Sequence, residues 1–479
     1  MRFGELFRKI SPVFLRGEDK EILGLSDDSR EISPGWVFVA RRGTTVDGHN
    51  FIPQALLQGA AGIVAERNLD LPAEVAFAQV EDTNRVLGEL AAAFYGYPQR
   101  ELTLVGITGT NGKTSVSWFL RQLLEQTGIP TGLLGTIRYV LGERSLKARE
   151  TTPSILKTMS YLAEMKQAGL THAVLEVSSH ALDQGRVEGL TFQVAAFTNL
   201  SRDHLDYHGS LEAYFEAKTR LFTRYLKTRG QAVINTLNPW GRRLAMGLKV
   251  PVTKVGEDPS GEILARTPEG LVFCLRSGGE TRQVATRVFG DFQLENLLLT
   301  AGCALALGLS FSEVAEKLST LSAPPGRLEL VATYGGALVF VDYAHTPEAL
   351  RRALLSLKPY VRKRLLVLFG CGGNRDQGKR PQMGRVAEEL ADLVILTSDN
   401  PRFEDPEAII ADIAKGLSTK ALIKPDRREA LAIALEQLSP GDVLLVAGKG
   451  HEDYQEIRGQ RYPFSDQEII REILLTEAA

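Results

Sequence analysis

The sequence predicts an α/β protein with three domains, and three observations lead to this prediction. The chain has 479 residues, which corresponds to about three domains of roughly 100–200 residues each. From about residue 100 onward, short apolar segments alternate with amphipathic ones, which is typical of a mostly parallel sheet covered by helices. A glycine-rich turn at residues 109–115 lies between a predicted strand and a predicted helix, the arrangement of a phosphate-binding loop.

Segments rich in turn-forming residues divide the chain at residues 95–98 and 323–327. We predict an amino-terminal α/β domain over residues 1–99, a central domain with a mostly parallel, P-loop ATPase-type sheet over 100–326, and a smaller Rossmann-like α/β domain over 327–479. A helix is predicted from Lys113 to near Gly128, because Val116, Phe119, Leu120, Leu123 and Leu124 form one apolar stripe. The predicted strands are residues 36–40, 102–107, 172–175, 194–197, 338–343, 365–369, 393–397 and 443–447.

Composition excludes several classes of protein. The formal net charge is -2, so no basic excess indicates a nucleic-acid partner. The three cysteines are far apart, which favours a reducing compartment and argues against a disulfide framework or a paired metal site. The amino terminus lacks the pattern of a signal peptide, and no uncharged apolar run approaches the ~20 residues of a membrane helix. We therefore expect a cytoplasmic protein without membrane insertion.

The turn has the sequence Gly109-Thr110-Asn111-Gly112-Lys113-Thr114-Ser115. Its glycines allow backbone N–H groups to face phosphates, and the helix that follows adds a partial positive charge. Lys113 supplies a full charge for the outer phosphates of ATP, and Thr114 supplies a hydroxyl for Mg²⁺. The loop is not a strict Walker A motif, because position 107 is Ile and the glycines fall at 106 and 109. A glycine-rich turn without a ligand is the alternative, which the placement of Gly-Lys-Thr disfavours.

Polar side chains follow two other predicted strands of the central domain. Glu176 comes directly after the strand at 172–175, and Asp203, His204, Asp206 and His208 follow the strand at 194–197. Open α/β sheets place their ligands at the carboxyl ends of strands, and carboxylates are suitable ligands for Mg²⁺. Taken alone, Glu176 could be an exposed loop carboxylate and a single histidine could be structural.

An ordered set of motifs that covers essentially the whole chain resembles the Mur ligases. The motifs are the phosphate loop, Thr151-Thr152-Pro153, residues 176–180, residues 199–208, the helix at 213–222, Pro325-Gly326-Arg327, residues 342–347 and the carboxyl-terminal loops. Asp28-Ser29-Arg30 and Asp47-Gly48-His49 are similar to the branch that adds the third residue of the cell-wall peptide. The resemblance implies ATP-dependent amide-bond formation through an acyl phosphate, in peptidoglycan precursor synthesis.

The resemblance also implies a catalytic set of Lys113, Glu176, His204 and Lys218. Thr114 and Glu176 would hold one Mg²⁺, whereas Glu176, His204 and Lys218 would hold a second. Lys218 would be carbamylated by CO2, since an ammonium group would repel the metal and a carbamate is an anionic oxygen ligand. From its spacing alone, Lys218 would instead be a solvated lysine on an amphipathic helix.

Further binding residues follow from the same resemblance. For ATP, Arg327 would contact phosphate, Asp342 the ribose and Asn296 the adenine; Gln293 stands where the family often has Asn, and Asn296 could alternatively be a helix-start residue. The second substrate would be UDP-N-acetylmuramoyl-L-Ala-D-Glu. Its implied contacts are Ser29, Thr151, Thr152, Ser178, Gln184 and Arg186.

The segment Asp399-Asn400-Pro401-Arg402 resembles the enzymes that add meso-diaminopimelate, with Arg375, Gly448 and Glu452 as the remaining contacts. Diaminopimelate carries one more carboxylate than lysine, and arginine is a bidentate partner for that group. As an isolated tetrapeptide, the segment could be a β-turn with an exposed arginine. Three alternatives stay open: a lysine-adding ligase, a ligase similar to folylpolyglutamate synthase, and a non-catalytic nucleotide-binding protein.

We expect a monomer.

Overall fold

The computed structural model describes residues 1–43 and 46–477. The chain divides into two compact units. The first comprises Met1–Val255 together with Gly302–Gly308, and the second comprises Gly256–Ala301 together with the chain from Leu309 onward. The three domain ranges predicted from the sequence stay predictions.

The amino-terminal part of the first unit contains a five-stranded sheet in the order β1-β5-β4-β3-β2, parallel except for the edge strand β1. Its strands are β1 (Phe14–Arg16), β2 (Gly24–Ser26), β3 (Trp36–Val39), β4 (Gly62–Ala65) and β5 (Ala76–Gln79). Its α-helices are α1 (Ile52–Leu57) and α2 (Thr83–Phe94), and its 3-10 helices are Phe3–Phe7, Ser29–Glu31, Gly48–Phe51 and Pro98–Arg100. Helix α2 begins after Asp82, whose carboxylate accepts hydrogen bonds from the first-turn amides.

The rest of the first unit is built on an eight-stranded sheet in the order β13-β12-β11-β6-β10-β7-β8-β9. The six strands from β13 to β7 are parallel, and β8 and β9 add an antiparallel edge. The strands are β6 (Thr103–Thr108), β7 (Thr131–Leu134), β8 (Arg138–Val140), β9 (Ser145–Lys147), β10 (His172–Glu176), β11 (Phe192–Phe197), β12 (Leu226–Asn235) and β13 (Val252–Val255). The helices are α3 (Lys113–Gln126), α4 (Ile155–Gln167), α5 (Ser179–Asp183), α6 (Leu205–His208), α7 (Leu211–Thr223) and α8 (Pro239–Gly247).

The second unit begins with a three-stranded antiparallel sheet and two helices. These elements are β14 (Ser260–Thr267), β15 (Gly270–Ser277), β16 (Glu280–Ala285), α9 (Gln293–Ala306) and α10 (Phe311–Leu318). The last residues of α9 are assigned to the first unit, so this helix contributes to both.

The main sheet of the second unit has six strands in the order β17-β18-β22-β19-β20-β21, parallel except for β17. The strands are β17 (Glu329–Tyr334), β18 (Ala337–Asp342), β19 (Leu365–Phe369), β20 (Leu393–Leu396), β21 (Leu422–Ile423) and β22 (Val443–Ala447), followed by a hairpin of β23 (Tyr454–Ile457) and β24 (Gln460–Pro463). The helices are α11 (Pro347–Leu357), α12 (Lys379–Leu390), α13 (Pro406–Ala414), α14 (Arg427–Glu436) and α15 (Asp466–Glu477), with a 3-10 turn at Lys358–Tyr360.

These sheets confirm the α/β fold class and the predicted strands. The bounds of β19 and β22 agree with the prediction, β6 is displaced by one residue, and β18 ends at Asp342 instead of residue 343. Apolar side chains cover both faces of the second unit's main sheet, which is why its strands are almost uniformly apolar. Within the described ranges, no helix combines the length and the apolar character needed to cross a membrane.

Candidate active site

The phosphate loop, residues 109–115, connects β6 to α3 and depends on two glycines with positive φ angles. Gly109 has φ +144° and Gly112 has φ +86°. A Cβ atom built on Gly109 would lie 1.9 Å from the Thr198 hydroxyl oxygen. Both positions therefore require glycine. Gly109 is needed for its close approach to Thr198 and for its backbone conformation, and Gly112 is needed for its backbone conformation. The loop delivers the chain directly into the amino terminus of α3, where backbone N–H groups attract anions.

The Lys113 ammonium group lies over this loop. Its Nζ donates hydrogen bonds to the carbonyl oxygens of Gly109 and Thr110, both at 2.9 Å. A full positive charge therefore stands at the loop itself, as the sequence predicts for a residue that neutralises phosphate.

The neighbouring strand end fixes the loop from the other side. The Thr110 amide donates to the Asn199 carbonyl at 2.8 Å, and the Asn111 amide donates to the Asn199 side chain at 3.0 Å. The Thr198 hydroxyl donates to the Asn111 carbonyl at 2.5 Å. Asn199 was part of a motif in the sequence, but its task of holding the loop was not predicted. The order of β6 and β11 in the sheet creates this contact, and no local pattern reveals it.

Glu176 is the last residue of β10, which pairs with β6, and its side chain is buried. The Thr114 hydroxyl donates to its carboxylate at 3.0 Å and the Ser117 hydroxyl at 3.3 Å. The amide and hydroxyl of Thr136 donate to the same carboxylate at 3.0 and 2.9 Å. The structure thus brings Glu176 to the phosphate loop and excludes an exposed loop carboxylate.

Gly135 leaves the space that Glu176 occupies. A Cβ atom at this position would lie 2.4 Å from a carboxylate oxygen of Glu176. The sequence alone does not indicate Gly135, Thr136 and Ser117 as parts of the site. A glycine directly after β7, a strand adjacent to β10, is the one local signal that could have indicated the close approach.

Lys218 of helix α7 is buried, with 1% of its surface exposed. Its Nζ donates to the Gly109 carbonyl at 2.8 Å and lies 4.4 Å from the centre of the Tyr214 ring. Burial, reinforced by the charge of Lys113, lowers the pKa of Lys218 well below its usual value. The structure therefore excludes the solvated lysine of the alternative interpretation.

His204 belongs to a cluster of aromatic rings at the end of β11. His180 lies at its centre, with ring centroids 4.7 Å from His204, 4.3 Å from Tyr207 and 5.5 Å from His208. His204 is about half exposed and adopts a left-handed backbone conformation with φ 51°. Burial lowers the pKa of His180, and the neighbouring histidines lower it further. The sequence predicts no role for His180.

The residues expected to hold magnesium fit that ion in part. The Thr114 hydroxyl and the Glu176 carboxylate are hard oxygen donors in mutual contact, which suits Mg²⁺. Within the described ranges, no group of three or more His, Cys, Asp or Glu residues has the arrangement of a metal site. An amine at Lys218 is not a magnesium ligand, so a second ion fits only if this nitrogen carries a carboxylate.

Five of the residues expected to bind the UDP-linked substrate lie together beside Glu176. The Thr152 hydroxyl donates to the Glu176 carbonyl at 2.8 Å and accepts from the Ser178 amide at 3.0 Å. The Thr151 and Thr136 hydroxyls are 3.2 Å apart. The other two residues are also in contact, since Arg186 donates to Gln184 at 3.0 Å and to the Thr152 carbonyl at 3.2 Å.

Ser29 begins the 3-10 helix Ser29–Glu31, between β2 and β3 of the amino-terminal part. Its hydroxyl donates to Gln54 at 2.8 Å, and the residue is buried. The neighbouring Glu31 lies 3.4 Å from Lys157, which is in the first turn of α4. Ser29 thus belongs to the amino-terminal part of the first unit, whereas the five residues beside Glu176 belong to the part built on the eight-stranded sheet.

The second unit carries the other residues that the sequence assigns to ATP. The Asp342 carboxylate accepts hydrogen bonds from the amides of Leu328 and Ala344, at 2.7 and 2.8 Å. Burial raises the pKa of Asp342, although the charge of Arg327 opposes the shift. The Arg327 guanidinium lies 5.2 Å from the centre of the Tyr343 ring, and its buried Nε has no hydrogen-bond partner among the described residues.

Asn296 and Gln293 lie on the first turn of α9 and are both buried. The Asn296 side chain donates to the Gln293 side chain at 2.8 Å. The amide at position 293 thus orients the amide at 296, even though Gln replaces the Asn that is frequent in similar proteins.

Three loops at the carboxyl ends of β19, β20 and β22 contain the residues expected to bind the incoming amino acid. We call residues 372–376, 399–402 and 448–452 the amino-acid loops. The Asn400 side chain donates to Glu452 at 2.8 Å. Lys449, whose side chain is fully buried, lies 3.3 Å from the Asn400 side chain and 3.5 Å from Glu452. Burial lowers the pKa of this lysine, which the sequence analysis did not single out.

Asp399 and Gly448 are in close contact between two of these loops. A Cβ atom on Gly448 would lie 2.5 Å from the Asp399 carboxylate, and the φ angle of Gly448 is +111°. Position 448 therefore requires glycine for a steric reason, because a side chain there would displace Asp399, and its contact with the incoming amino acid stays a prediction.

Arg402 is held by groups on three sides and adopts a left-handed conformation with φ 51°. Its guanidinium donates to the Gly373 carbonyl at 2.8 Å and lies 3.5 Å from Glu456 of β23. Its amide donates to the Glu456 carbonyl at 3.0 Å. About a fifth of the Arg402 side chain is exposed, whereas Arg375 is exposed. A preorganised cation next to Asn400 is suited to bind a carboxylate.

Two glycines allow main-chain segments to cross within the second unit. A Cβ atom on Gly326 would lie 2.2 Å from the Gly450 carbonyl carbon, and one on Gly450 would lie 2.6 Å from the Cβ of Tyr343. Gln467 connects the same region, since its side chain donates to the Gly450 carbonyl at 2.9 Å and to Glu329 at 3.1 Å. The segment that leads into Arg327 and the loop that leads to Glu452 are therefore interlocked.

Comparison with known proteins places three family models along the chain. The model described as Mur ligase family, catalytic domain, matches residues 21–95. The Mur ligase middle domain matches residues 107–304, and the model described as Mur ligase, glutamate ligase domain, matches residues 326–450.

Curated relatives match over nearly their full length. The UDP-N-acetylmuramoyl-L-alanyl-D-glutamate--2,6-diaminopimelate ligase of Gloeobacter violaceus is 44% identical, over 99% of this chain and 98% of the relative. The protein of the same name from Geobacter metallireducens is 40% identical, over 98% of each chain. A solved structure of a ligase with this name has a TM-score of 0.74 and 33% identity, covering 100% of this chain and 99% of that chain. Folylpolyglutamate synthase from Thermotoga maritima, at 20% identity and a TM-score of 0.60 over 81% and 93% of the two chains, shares the fold.

Proposed function

This chain belongs to the Mur ligase family, and on that premise we propose that it joins meso-2,6-diaminopimelate to UDP-N-acetylmuramoyl-L-Ala-D-Glu. The reaction consumes ATP and forms an amide with the D-glutamate carboxylate, as a step in peptidoglycan precursor synthesis. The observation that carries the proposal is the contact between Thr114 of the phosphate loop and the buried Glu176. This contact supports the proposal because it joins the predicted phosphate loop to a carboxylate that suits Mg²⁺.

In the first step, a carboxylate oxygen of the D-glutamate attacks the γ-phosphorus of ATP, and the bond from that phosphorus to the bridging oxygen of ADP breaks. Negative charge accumulates where two anions meet. Backbone N–H groups of the phosphate loop hold the phosphates, and Lys113 neutralises part of the charge. Mg²⁺, when bound, would be held by Thr114 and Glu176 and would supply further positive charge there.

In the second step, the uncharged amine of diaminopimelate attacks the acyl carbon, and the nitrogen loses a proton as inorganic phosphate departs. The protein's task is to hold the amine donor in position. Arg402, with Arg375, would bind the carboxylate that lysine lacks, and Asn400 and Glu452 would bind polar groups of the amino acid. Asp399, Pro401 and Gly448 shape the loops that carry these side chains.

The other site residues are assigned as follows. Asn296, Arg327 and Asp342 would bind the nucleotide, while Ser29, Thr151, Thr152, Ser178, Gln184 and Arg186 would bind the UDP-linked dipeptide. Lys218, as a carbamate, would hold a second Mg²⁺ with Glu176 and His204. The uncharged amine that reacts with CO2 is favoured by burial, which lowers the pKa of Lys218, and the reaction releases one proton.

A cytoplasmic location, a monomeric state and the domain ranges 1–99, 100–326 and 327–479 belong to the same proposal. The separated cysteines support the location.

The test is phosphate release with ATP and UDP-N-acetylmuramoyl-L-Ala-D-Glu, with each amino acid supplied separately. We expect turnover with meso-diaminopimelate and much less with L-lysine. Equal or greater turnover with L-lysine would overturn the assignment of the amino acid, and turnover only with a folate and glutamate would favour the folylpolyglutamate alternative. A non-catalytic protein would give none of these. The presence of Lys113, Glu176, His204 and Lys218 argues against that alternative.

A further inference from the structure

We propose that Arg427, paired with Asp466, is a positioning residue that sets the separation of two of the amino-acid loops and thereby the affinity for the incoming amino acid. The proposal rests on the proposed function, because it takes those loops as the amino-acid site. Arg427 has no place among the predicted site residues and no expected contact with a substrate.

Arg427 is the first residue of α14, and its side chain is fully buried. Its Nε and one terminal nitrogen donate to the two carboxylate oxygens of Asp466, both at 2.8 Å. The same terminal nitrogen donates to the Ala447 carbonyl at 3.0 Å, and the other donates to the Ser398 carbonyl at 3.3 Å. Four of the five N–H donors of this guanidinium therefore have partners in the protein.

The two carbonyls mark the starts of two amino-acid loops. Ser398 immediately precedes Asp399, and Ala447 immediately precedes Gly448. Beyond these residues, the Asp399 carboxylate lies against Gly448, where even a methyl group would be 2.5 Å from an oxygen. The planar Arg427 guanidinium thus holds the starts of both loops close to the point where Asp399 packs tightly against Gly448.

A general need for stability does not account for this arrangement. A buried ion pair offsets its desolvation cost only when its hydrogen bonds are complete. Apolar side chains of similar volume often give a protein equal or greater stability. Lysine would keep the charge but could not span two carbonyls and a carboxylate, since it lacks the planar fork of arginine. The residue present is the one whose geometry can join both loops to α15.

The same sheet contains a matched control at its opposite edge. Arg364 immediately precedes β19, and its guanidinium donates to Asp442, directly before β22, at 2.6 Å. It also donates to the Gln437 carbonyl at 2.7 Å. This pair joins the amino ends of the strands, far along each strand from the amino-acid loops. Replacing Arg364, whose side chain is about one-third exposed, therefore perturbs an arginine–aspartate pair of the same sheet without touching the proposed site.

The experiment compares Arg427→Lys, the double variant Arg427→Met with Asp466→Leu, and Arg364→Lys, in the full-length enzyme. KM is measured separately for the amino acid, ATP and the UDP-linked dipeptide, together with kcat and the midpoint of thermal unfolding. We expect both Arg427 variants to raise KM for the amino acid about tenfold or more, because misplaced binding groups are costly. KM for ATP should stay unchanged. Arg364→Lys should lower the unfolding midpoint without changing any KM.

Two results would overturn the proposal: an unchanged KM for the amino acid in both Arg427 variants, or an equal rise of all three KM values. The wild-type amino-acid profile is measured first, and the variants are then tested with whichever amino acid the enzyme accepts. A failure of the diaminopimelate assignment is thereby separated from a failure of the positioning role. If no amino acid is accepted, amide hydrogen exchange at residues 399–402 and 448–452 decides. Faster exchange in Arg427→Lys supports the positioning role, and unchanged exchange removes it.

Discussion

The phosphate loop with Glu176 and the amino-acid loops are built on the same principle of polar residues at strand ends, but they are held in place differently. The phosphate loop is fixed by backbone amides, short hydroxyl side chains and glycines of adjacent strands, and its carbonyls accept hydrogen bonds from Lys113 and Lys218 without any arginine–carboxylate pair among the described residues around it. The amino-acid loops are fixed by buried ionic side chains, namely Arg427 with Asp466 and Lys449 with Glu452.

This difference corresponds to what each site has to recognise. Phosphate groups can be bound by backbone N–H groups, so the loop requires little more than a fixed main-chain conformation. An amino acid with several charged groups requires side chains at set distances, and these side chains need supports of their own. We therefore expect substitutions in the first region to reduce turnover and those in the second to change the affinity for one substrate.

The largest effect is expected for Lys113→Ala. Removing the charge that we propose to face the transferred phosphate should reduce kcat by on the order of 10²–10³-fold or more, since preorganised charge contributes most in the transition state. Phosphate release under saturating substrates measures the effect. The control is Lys166→Ala, which removes an exposed partner of Glu101 and should leave turnover unchanged. Normal turnover in Lys113→Ala would contradict the proposed mechanism.

The next effect is that of Gly135→Ala. The added methyl group would meet a Glu176 oxygen at 2.4 Å and displace the carboxylate from Thr114. Misplacing the carboxylate by about 1 Å should reduce kcat by about 10²-fold. Gly247→Ala is the matched control, because no atom lies within 4 Å of its Cβ position. The prediction fails if the two variants have the same kcat.

A smaller and more selective effect is expected for Arg402→Lys. Lysine cannot reproduce the bidentate geometry, so KM for diaminopimelate should rise about tenfold, which corresponds to ~1.4 kcal/mol. KM for ATP and kcat should change little. Arg458→Lys alters an exposed arginine of the adjacent hairpin turn, with a similar φ angle of 51°, and should have no effect on KM. A rise in KM for ATP that matches the rise for diaminopimelate would count against the assigned role.

The smallest effect concerns how stability depends on pH. Burial lowers the pKa of Lys449 below its usual value of 10.5, so over the interval between the two values the unfolded chain binds more protons than the folded one. The free energy of unfolding should therefore rise with pH up to about 10.5, with a contribution of at most ~1.4 kcal/mol per pH unit. Lys449→Met should lose this contribution. Denaturant unfolding of both proteins between neutral and alkaline pH measures it, and identical slopes would refute the prediction.

The parts of the site that could be predicted from sequence are those encoded by neighbouring residues. The phosphate loop is recognisable because its glycines, its lysine and the start of α3 are contiguous. Glu176 was predicted as a strand-end carboxylate for a similar reason. Asn199, Thr136 and Gly135 were missed as supports, because the order of strands in the sheet brings them to the loop and to Glu176.

The sequence around Lys218 contains a signal of its burial. The spacing alone suggested a solvated lysine, and only the family resemblance indicated a site. Yet Tyr214, Lys218 and Leu221 follow the i, i+4, i+7 spacing of a buried helix stripe. A lysine within such a stripe is an exception that indicates a special environment. For Arg427 and Asp466, which are 39 residues apart, no comparable spacing exists.

The crossing of Gly326 and Gly450 has a consequence for the design of hybrid ligases. The natural place to exchange a carboxyl-terminal domain between relatives would be the predicted boundary at residue 327, which divides the two glycines between donor and recipient. At 2.2 Å from the opposing main chain, a methyl group from either parent at position 326 could not be accommodated. A graft that begins before Pro325 would take Gly326 and Gly450 from the same parent. It would thereby keep the alignment between Arg327 and the amino-acid loop at residues 448–452.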